Sequence, residues 1–392
     1  MMKFYFMLSK GGASLYPLKW DGTASFSASI INNSGLGNFN EITLKKKLTG
    51  KIVRLSPFVS ELYEGISGSS SPDDLETLFQ LNYLYFTQPR KDQTGFDTYM
   101  SQMRSYVANR AASPNTPFRD TISQTMSQKH PRRHIFDEAY LNTVNFDKAV
   151  EVYKERFADA GDFTFFIVGN FDYDKIKPLV TKYLASLPST NSKEMWVDLG
   201  IRPPTGQISK TIYKGKEPKS TVQIAYTGNA VYSNEEKLYI KMTADILKIK
   251  LREAMREEKG GVYGVSVSAY LSKYPYEKYS SYIYFGCSPE NVEGLINTAY
   301  AEIKKIQENG PTEKDLNKVK ETLKRSRETD LKENRWWSST LRHSHIYGDD
   351  LSKIDKYIET LNKVSIADIK NAANKYFNDT NRARFVLMPE KK

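Results

Sequence analysis

Apolar residues recur at helical spacing after two closely similar segments, and this pattern organises the chain. The segments read Ser-Pro-Asp-Asp-Leu-Glu-Thr-Leu at residues 71–78 and Ser-Pro-Glu-Asn-Val-Glu-Gly-Leu at residues 288–295. Each follows a strand-like run and opens with a serine N-cap, proline at the first helical position and acids in the first turn. Both therefore predict a strand followed by a helix, and the offset between the two copies is 288 − 71 = 217.

A second pair of segments repeats at nearly the same distance. Tyr-Lys-Glu-Arg-Phe, ending at Phe157, precedes an apolar strand-like run at residues 163–168. Asn-Lys-Tyr-Phe, ending at Phe377, precedes a similar run at residues 383–388, and the offset between the two phenylalanines is 377 − 157 = 220. Because the two offsets nearly agree, we predict a duplicated domain. A period this long indicates two whole domains, since solenoid repeats are far shorter.

The periodicity predicts an α+β fold, in which each domain is an antiparallel-rich sheet covered by helices. The first domain is expected at residues 1–190, a proline-containing polar linker at 191–206, and the second domain at 207–392. The predicted strands are 3–9, 52–58, 62–68, 163–168, 221–226, 262–270 and 279–286, and the last strand ends the chain. The predicted helices are 72–87, 97–109, 117–127, 147–157, 173–187, 233–258 and one long helix at 313–347. Ser233 and Glu236 form a capping box, and Trp336 and Trp337 are expected to pack against neighbours.

Composition and charge exclude several classes of protein. The chain has 392 residues, of which 39% are hydrophobic, and its net charge is +11 (57 − 46). The lysines are spread among acids, without the compact basic block expected for nucleic-acid binding. No apolar run approaches the roughly 18 residues of a membrane span, and the apolar run after residue 3 is too short for a signal peptide. Bacterial periplasm and cytoplasm both stay open as locations.

The sequence offers little material for a metal centre or a nucleophile. The only closely spaced histidines that could share a helical face are His130 and His134, but a proline and two arginines separate them. His343 and His345 lie two apart on a helical stretch and so face different directions. The single cysteine, Cys287, excludes an intrachain disulfide and is expected to be structural. We therefore predict no metal site in this chain.

One run of residues carries candidate chemistry, where a helix ends at a Gly-Gly turn and a strand begins. Arg256 lies in the last helical turn and Tyr263 at the start of the strand. An arginine can hold a substrate carboxylate or carbonyl, and a tyrosine hydroxyl can donate to a carbonyl that gains negative charge. The same residues could equally serve structure, as a cation at a helix C-terminus and a tyrosine packed on its strand.

The run containing Arg256 and Tyr263 resembles the C-terminal half of the pitrilysin (insulinase) family of zinc metallopeptidases. In that family a helix ending in Leu-Arg-Glu, then Gly, then Tyr-Gly/Ser-Val supplies an Arg and a Tyr seven residues apart. Residues 149–188 resemble the family as well, through Phe-Ala-Asp-Ala, the strand before Gly-Asn-Phe, and Leu-Ala-Ser-Leu-Pro. The resemblance implies two mitochondrial processing peptidase-like domains, with Tyr263 in a catalytic role at the substrate carbonyl and Arg256 binding substrate.

The resemblance also implies what this chain lacks. The family's zinc is held by His-x-x-Glu-His and a distal Glu, but the corresponding residues 24–34 contain neither His nor Glu. The chain is therefore expected to be a non-catalytic copy, inactive alone and without a cofactor of its own. Its expected partners are a peptide or protein substrate and a zinc-binding N-terminal half, either on a longer chain or as a separate subunit. Two alternatives stay open, a scaffold or core subunit of the same fold and an isolated peptide-binding module.

Overall fold

The structure is a computed structural model that describes the backbone of residues 3–259 and 262–391. The side chains of residues 3, 4, 256–259 and 263 lie outside this description. The chain forms two compact units, each assembled from three segments. Unit 1 comprises Met1–Asn109, His134–Leu199 and Asp330–Leu351, and unit 2 comprises Arg110–Arg133, Gly200–Thr329 and Ser352–Lys392.

The described residues form strands and helices of both units in the following chain order. The strands are β1 (Lys3–Lys10), β2 (Val53–Val59), β3 (Tyr63–Ser70), β4 (Thr164–Val168), β5 (Gly206–Tyr213), β6 (Ser220–Asn229), β7 (Val262–Ser272), β8 (Lys278–Cys287) and β9 (Asn381–Met388). The helices up to the linker are α1 (Asp21–Ser34), α2 (Glu41–Lys47), α3 (Leu75–Thr87), α4 (Gln93–Ala111), α5 (Asn115–Met126), α6 (Glu138–Leu141), α7 (Phe146–Arg156) and α8 (Tyr173–Tyr183). The later helices are α9 (Asn234–Lys259), α10 (Val292–Asn309), α11 (Glu313–Asp330), α12 (Asn334–Tyr347), α13 (Tyr357–Lys363) and α14 (Ile366–Tyr376).

The two sheets have the same strand order, as a duplication requires. Unit 1 has the order β2-β3-β1-β4, and unit 2 has β7-β8-β6-β9 with β5 added at the outer side of β9. The shared strands pair antiparallel, whereas β5 runs parallel to β9. Helices α3 and α10 follow equivalent strands, as the two Ser-Pro segments predicted. The predicted fold class, an α+β protein with antiparallel-rich sheets, is confirmed.

Each sheet buries one face against its own helices. In unit 1 the apolar side chains of β1 and β3, such as Met7 and Ile66, pack with α3 and α7 through Phe79 and Tyr153. In unit 2 the equivalent core holds Ile283, Phe285 and Tyr376, together with the apolar stripe of α9. Alternation along the strands leaves the opposite face of each sheet to be covered by other elements.

The opposite faces are covered by two helices whose sequence position does not reveal their unit. Helix α5 lies in unit 2, where Phe118 packs with Phe385 and Leu387 of β9. Helix α12 lies in unit 1, where it packs on β1 and β4. The offset between their first positions is 334 − 115 = 219, so the two helices are themselves copies in the duplication. Each copy belongs to the unit built mainly from the other half of the chain.

The prediction of one long helix at 313–347 is wrong. The helix ends at Asp330 and a new one begins at Asn334, and the second piece belongs to a different unit from the first. The indole N–H of Trp337 donates to the carbonyl of Leu331 at 2.9 Å and so satisfies a backbone group that the break exposes. No Gly or Pro marks the break in the sequence. We therefore attribute the break to the packing of α12 on the sheet of unit 1. Strand β5 was likewise not predicted.

The linker between the repeats is fastened to unit 1 by polar contacts. Residues 188–205 have no regular secondary structure, yet Asp159 accepts hydrogen bonds from the backbone and hydroxyl groups of Thr190 and Ser192 at 2.6–2.9 Å. Arg156 donates to Glu194. The two compact units are defined by contacts between residues, so they do not test the predicted domain boundaries at 1–190, 191–206 and 207–392. Those boundaries stay a prediction.

Candidate functional site

The candidate site lies in unit 2, where α9 leads into β7. Helix α9 is 26 residues long, and its buried stripe includes Leu251 and Met255, both fully buried. The helix ends at Lys259 and β7 begins at Val262, so only Gly260 and Gly261 separate them, and these two lie outside the described residues. Glycines suit such a connection because they adopt backbone conformations that other residues avoid.

The backbone puts the two predicted site residues where the sequence predicted. Arg256 belongs to the last turn of α9 and Tyr263 is the second residue of β7. Their side chains lie outside the described residues, so the proposed pairing of the two side chains stays a prediction. Position 256 lies one helical turn after Arg252, on the same side of α9.

Strand β7 is irregular at this point. Val262 pairs with Cys287 and Gly264 pairs with Gly286, so the register shifts between Val262 and Gly264, and Tyr263 is the extra residue. A β-bulge of this kind bends a strand and re-aims a side chain, and bulges are common beside active sites. β7 is also an edge strand of its sheet.

A cavity opens beside the turn. It encloses about 280 Å³ and is lined by Arg252, Met255, Val262, Gly264 and Val265. A Cβ built on Gly264 would meet no atom within 4 Å, so the strand borders open space there. The helix end and the strand start therefore flank a space next to both predicted site positions.

Cys287, the partner of Val262 across the strands, has a structural role. Its side chain is fully buried, and burial together with Glu290 raises the pKa of its thiol to about 11. A reactive cysteine needs a lowered pKa and solvent access. The prediction of a structural cysteine fits this environment.

The family resemblance implies that the zinc helix of a catalytic copy corresponds to α1, and the residues of α1 do not fit a metal. Ser25 and Ser29, one turn apart, lie beside the hydroxyl groups of Tyr140 and Tyr99. Burial raises the pKa of Tyr140 to about 12, with Asp21 adding to the rise and Ser25 opposing it. Zinc sites use Cys, His and carboxylate ligands. Among the described residues, no three His, Cys, Asp or Glu side chains are grouped closely enough to hold a metal ion.

The four histidines of the chain have different neighbours. His130 belongs to unit 2 and His134 to unit 1. His134 contacts Asp21 with its Nε2 at 3.1 Å and stacks on Tyr140 with ring centroids 4.5 Å apart. On α12, His343 lies 3.8 Å from Asp349, whereas the ring of His345 packs against Phe166. Each histidine therefore has its own local environment.

The sequence reasoning missed a buried ionic cluster in unit 1. Glu64 on β3 is 1% exposed, accepts from the backbone N–H of Gly12 at 2.5 Å and lies 3.7 Å from Arg156. Burial raises the pKa of Glu64 to about 7, against the opposing effects of the Gly12 N–H and Arg156. Burial alone lowers the pKa of Arg156, but its bonded carboxylates outweigh this and hold it above the usual range. The signal in the sequence that could have revealed this cluster was the alternation of side chains along β3, which puts Glu64 on the inner face of the sheet.

Comparison with known proteins supplies the class. The profile described as the Peptidase M16 inactive domain matches residues 143–323. The probable zinc protease PqqL of Haemophilus influenzae is 26% identical over 320 residues, which cover 79% of this chain and 33% of that protein. Residues 143–323 thus match the inactive domain of the M16 peptidases, and the chain is homologous to PqqL-type zinc proteases. The resemblance to this class of metallopeptidase is confirmed.

Solved structures agree on the fold. The periplasmic protease PqqL of Escherichia coli superposes with a TM-score of 0.85 at 21% identity, over 99% of this chain and 43% of that one. The first half of the same protease superposes with a TM-score of 0.75 at 13% identity, over 99% of this chain and 87% of that one. The chain spans about a third to two fifths of the length of the curated relatives it matches. Within the described residues, no helix has the length and apolarity needed to span a membrane.

Proposed function

We propose that this chain is the non-catalytic half of a two-half zinc peptidase. Its role is to close the chamber over a peptide substrate whose hydrolysis takes place at a zinc site on an N-terminal half. The observation that carries the proposal is the match to an inactive peptidase domain in a chain that spans only a third to two fifths of its protease relatives.

The shape of the relatives supports a division of labour between two similar halves. The fold of this chain is found in the first half of Escherichia coli PqqL as well as within the complete protease. Two halves of one fold can diverge so that one retains the metal and the other binds substrate. In this chain Ser25 and Ser29 on α1 are neutral and face tyrosine hydroxyls, which supports its assignment as the half without metal.

The turn between α9 and β7 supports the substrate-binding role. Tyr263 would donate its hydroxyl hydrogen to the substrate carbonyl oxygen as that oxygen gains negative charge, an interaction stronger in the transition state than in the ground state. Arg256 would hold the peptide by a planar, two-pronged contact to a backbone carbonyl or a carboxylate. The cavity lined by Arg252, Met255 and Val265 provides space for a chain segment beside both positions.

The test combines this chain with its zinc half. The chain alone should contain no stoichiometric zinc after dialysis and should cleave no peptide, whereas a mixture with the N-terminal half of the same protein should cleave a quenched fluorescent peptide library. The N-terminal half alone is the control, and its activity should be much lower than that of the mixture. About one zinc per untagged chain would contradict the proposal. A mixture no more active than the N-terminal half alone would favour the scaffold alternative.

A further inference from the structure

Unit 1 contains a second cavity, on the opposite side of its sheet from the buried core. It encloses about 430 Å³, within the usual range for small-molecule sites. The floor is formed by Phe6 and Leu8 of β1 and Phe58 of β2, and the wall by Arg342 and Ile346 of α12. Ser60, Tyr63, His343 and Tyr347 complete the lining.

The cavity exists because the central strand presents little side-chain bulk on this face. Gly65 of β3 pairs with Leu8 on one side and Phe58 on the other. A Cβ at Gly65 would lie 2.7 Å from the ring of Phe58, so the glycine lets that ring lie over β3. The ring centroids of Phe6 and Phe58 are 5.6 Å apart. The result is an aromatic floor that α12, which packs on β1 and β4, covers only in part, through Arg342 over the ring of Phe6.

Arg342 is a cation in this cavity that no acid among the described residues neutralises. Its guanidinium carbon lies 4.4 Å from the centroid of the Phe6 ring, and the residue is half-buried. Within the part of the chain that the structure describes, no hydrogen bond or ion pair of Arg342 is formed. Burial lowers the pKa of Arg342, and no neighbouring carboxylate opposes this effect. Asp349 approaches His343, another residue of the cavity lining, at 3.8 Å.

The duplicated helix of unit 2 shows whether the fold needs a charged residue at the position of Arg342. The equivalent position on α5 is Ile122, because residues 122, 123, 126 and 127 line the cavity of unit 2 as residues 342, 343, 346 and 347 line that of unit 1. This offset, 342 − 122 = 220, is one more than the offset between the helix starts. Ile122 packs against the apolar cluster of Phe118, Phe385 and Leu387 and also lines a cavity of about 380 Å³ in unit 2. The fold therefore accepts an isoleucine at this position of the helix. The arginine in unit 1 is not required for the helix to pack on the sheet.

We propose that the cavity of unit 1 binds a carboxylate joined to an apolar or aromatic group. The carboxylate pairs with the guanidinium of Arg342, and the apolar group lies against Phe6 and Phe58. The shared chemistry fits two sources, a free small carboxylic acid and the C-terminal residue of a peptide. This site is separate from the turn that carries Arg256 and Tyr263, and the inference does not depend on the proposed peptidase role.

Binding is measured on the full chain by ligand-observed NMR and calorimetry with four probes. The probes are 3-phenylpropionate, its neutral amide, the peptide acetyl-Ala-Ala-Phe with a free C-terminal carboxylate, and the same peptide as its C-terminal amide. Each carboxylate should bind at least about tenfold more tightly than its matched amide, because a buried cation rewards a charged partner. Tighter binding of the peptide acid than of 3-phenylpropionate assigns the site to peptide C-termini, and the reverse order assigns it to small acids.

Two arginine variants locate the contact. Arg342→Ile copies the residue that α5 carries at the equivalent position, so it should fold, and it should weaken carboxylate binding at least about tenfold while leaving amide binding nearly unchanged. Arg335→Met removes an exposed arginine of the same helix and should bind like the wild type. If Arg342→Ile fails to fold, Ile346→Trp fills the cavity from the half-buried wall and should abolish binding of both carboxylates. Equal binding of acid and amide, no binding of either acid, or wild-type binding by Arg342→Ile or Ile346→Trp would overturn the proposal.

Discussion

The two units share one strand order but connect their first long helix to the next strand in different ways. In unit 1, α1 ends at Ser34 and β2 begins only at Val53, with α2 lying between them. In unit 2, the longer helix α9 ends at Lys259 and β7 begins at Val262. A two-residue connection holds the helix end directly beside the strand start, whereas unit 1 spans the same step with 52 − 34 = 18 residues. Helix and strand still meet in unit 1, because the Tyr85 hydroxyl lies 2.6 Å from Oδ1 of Asn32 and 3.3 Å from the carbonyl oxygen of Leu55. In unit 2 the positions of Arg256 and Tyr263 lie beside a cavity at this short connection.

The units also differ in how they fill one equivalent place in the core. Glu64 and Arg156 of unit 1 correspond, at offsets of 217 and 220, to Ser281 and Tyr376 of unit 2. All four residues are buried, but only unit 1 places charges there. A buried ion pair seldom adds net stability, because desolvation cancels much of the attraction. The pair in unit 1 instead holds the linker, since Arg156 also bonds to Glu194. In unit 2 the neutral Tyr376 instead donates its hydroxyl hydrogen to Glu236 of α9.

The largest expected effect tests whether α5 and α12, each of which covers one sheet face, contribute equally to the free energy of unfolding. Phe118 of α5 is 2% exposed, whereas no residue of α12 is fully buried. Phe118→Ala should lower the free energy of unfolding by about 4 kcal/mol, since it leaves a cavity in a packed cluster. Ile346→Ala on the half-buried face of α12 should cost about 1 kcal/mol. Urea denaturation measures both, and Phe118→Leu is the conservative control. Equal losses at the two positions would contradict the difference between the helices.

The next effect tests whether the short connection of unit 2 serves catalysis. In the reconstituted enzyme, Tyr263→Phe should lower kcat by roughly 100- to 1000-fold, about 3 kcal/mol, because it removes one donor to the developing oxyanion. Arg256→Lys should fail to restore the function of Arg256, since a point charge does not replace a planar fork. Tyr270→Phe, at an exposed tyrosine of the same strand, is the matched control and should retain full activity. Full activity of Tyr263→Phe together with a large stability loss in Arg256→Ala would assign both residues to structure.

A smaller effect tests the buried charge of unit 1. Because burial raises the pKa of Glu64 to about 7, folding favours its protonated form, and this contribution is lost as pH rises through 7. Between pH 5 and pH 8 the wild type should lose about 2 kcal/mol relative to Glu64→Gln, which cannot ionise. The difference between their melting curves across pH isolates this group from all others. Parallel pH profiles would show that Arg156 keeps Glu64 charged throughout. Ser281→Ala, at the equivalent place in unit 2, should leave the pH profile unchanged.

The smallest effect concerns the break between α11 and α12. Trp337→Phe keeps an aromatic ring but removes the indole donor to the Leu331 carbonyl, so it should cost about 0.5–1 kcal/mol. Hydrogen exchange should show faster exchange in the amides at the start of α12, while α5 is unaffected. Unchanged exchange in α12 would mean that packing on β1 and β4 alone maintains the break.

Local signals in the sequence determined much of the fold. The two Ser-Pro segments carry helical periodicity, so the strand before each and the helix after each were predictable. The predicted serine N-caps are wrong, because the α-helices begin at Leu75 and Val292 with Asp74 and Asn291 at their N-cap positions. Residues 256 and 263 flank a Gly-Gly turn that the sequence marks plainly, and the structure puts their backbone at the predicted helix end and strand start. The lack of His and Glu at residues 24–34 likewise argued against a metal there, once the family resemblance had pointed to these residues as the equivalent of the zinc helix.

Tertiary structure alone decided the remaining features. The break after Asp330 has no Gly or Pro, and it occurs because α12 packs on the sheet of unit 1 while α11 belongs to unit 2. Arg342 looks like an ordinary surface arginine in the sequence, since its half-buried place over Phe6 depends on the strand that begins the chain. Propensity and periodicity report on a few neighbouring residues, whereas burial and charge pairing depend on which distant segments meet. For that reason the sequence predicted helices and strands. It did not predict that α5 and α12 each belong to the unit built mainly from the other half of the chain, or that cavities lie beneath these helices.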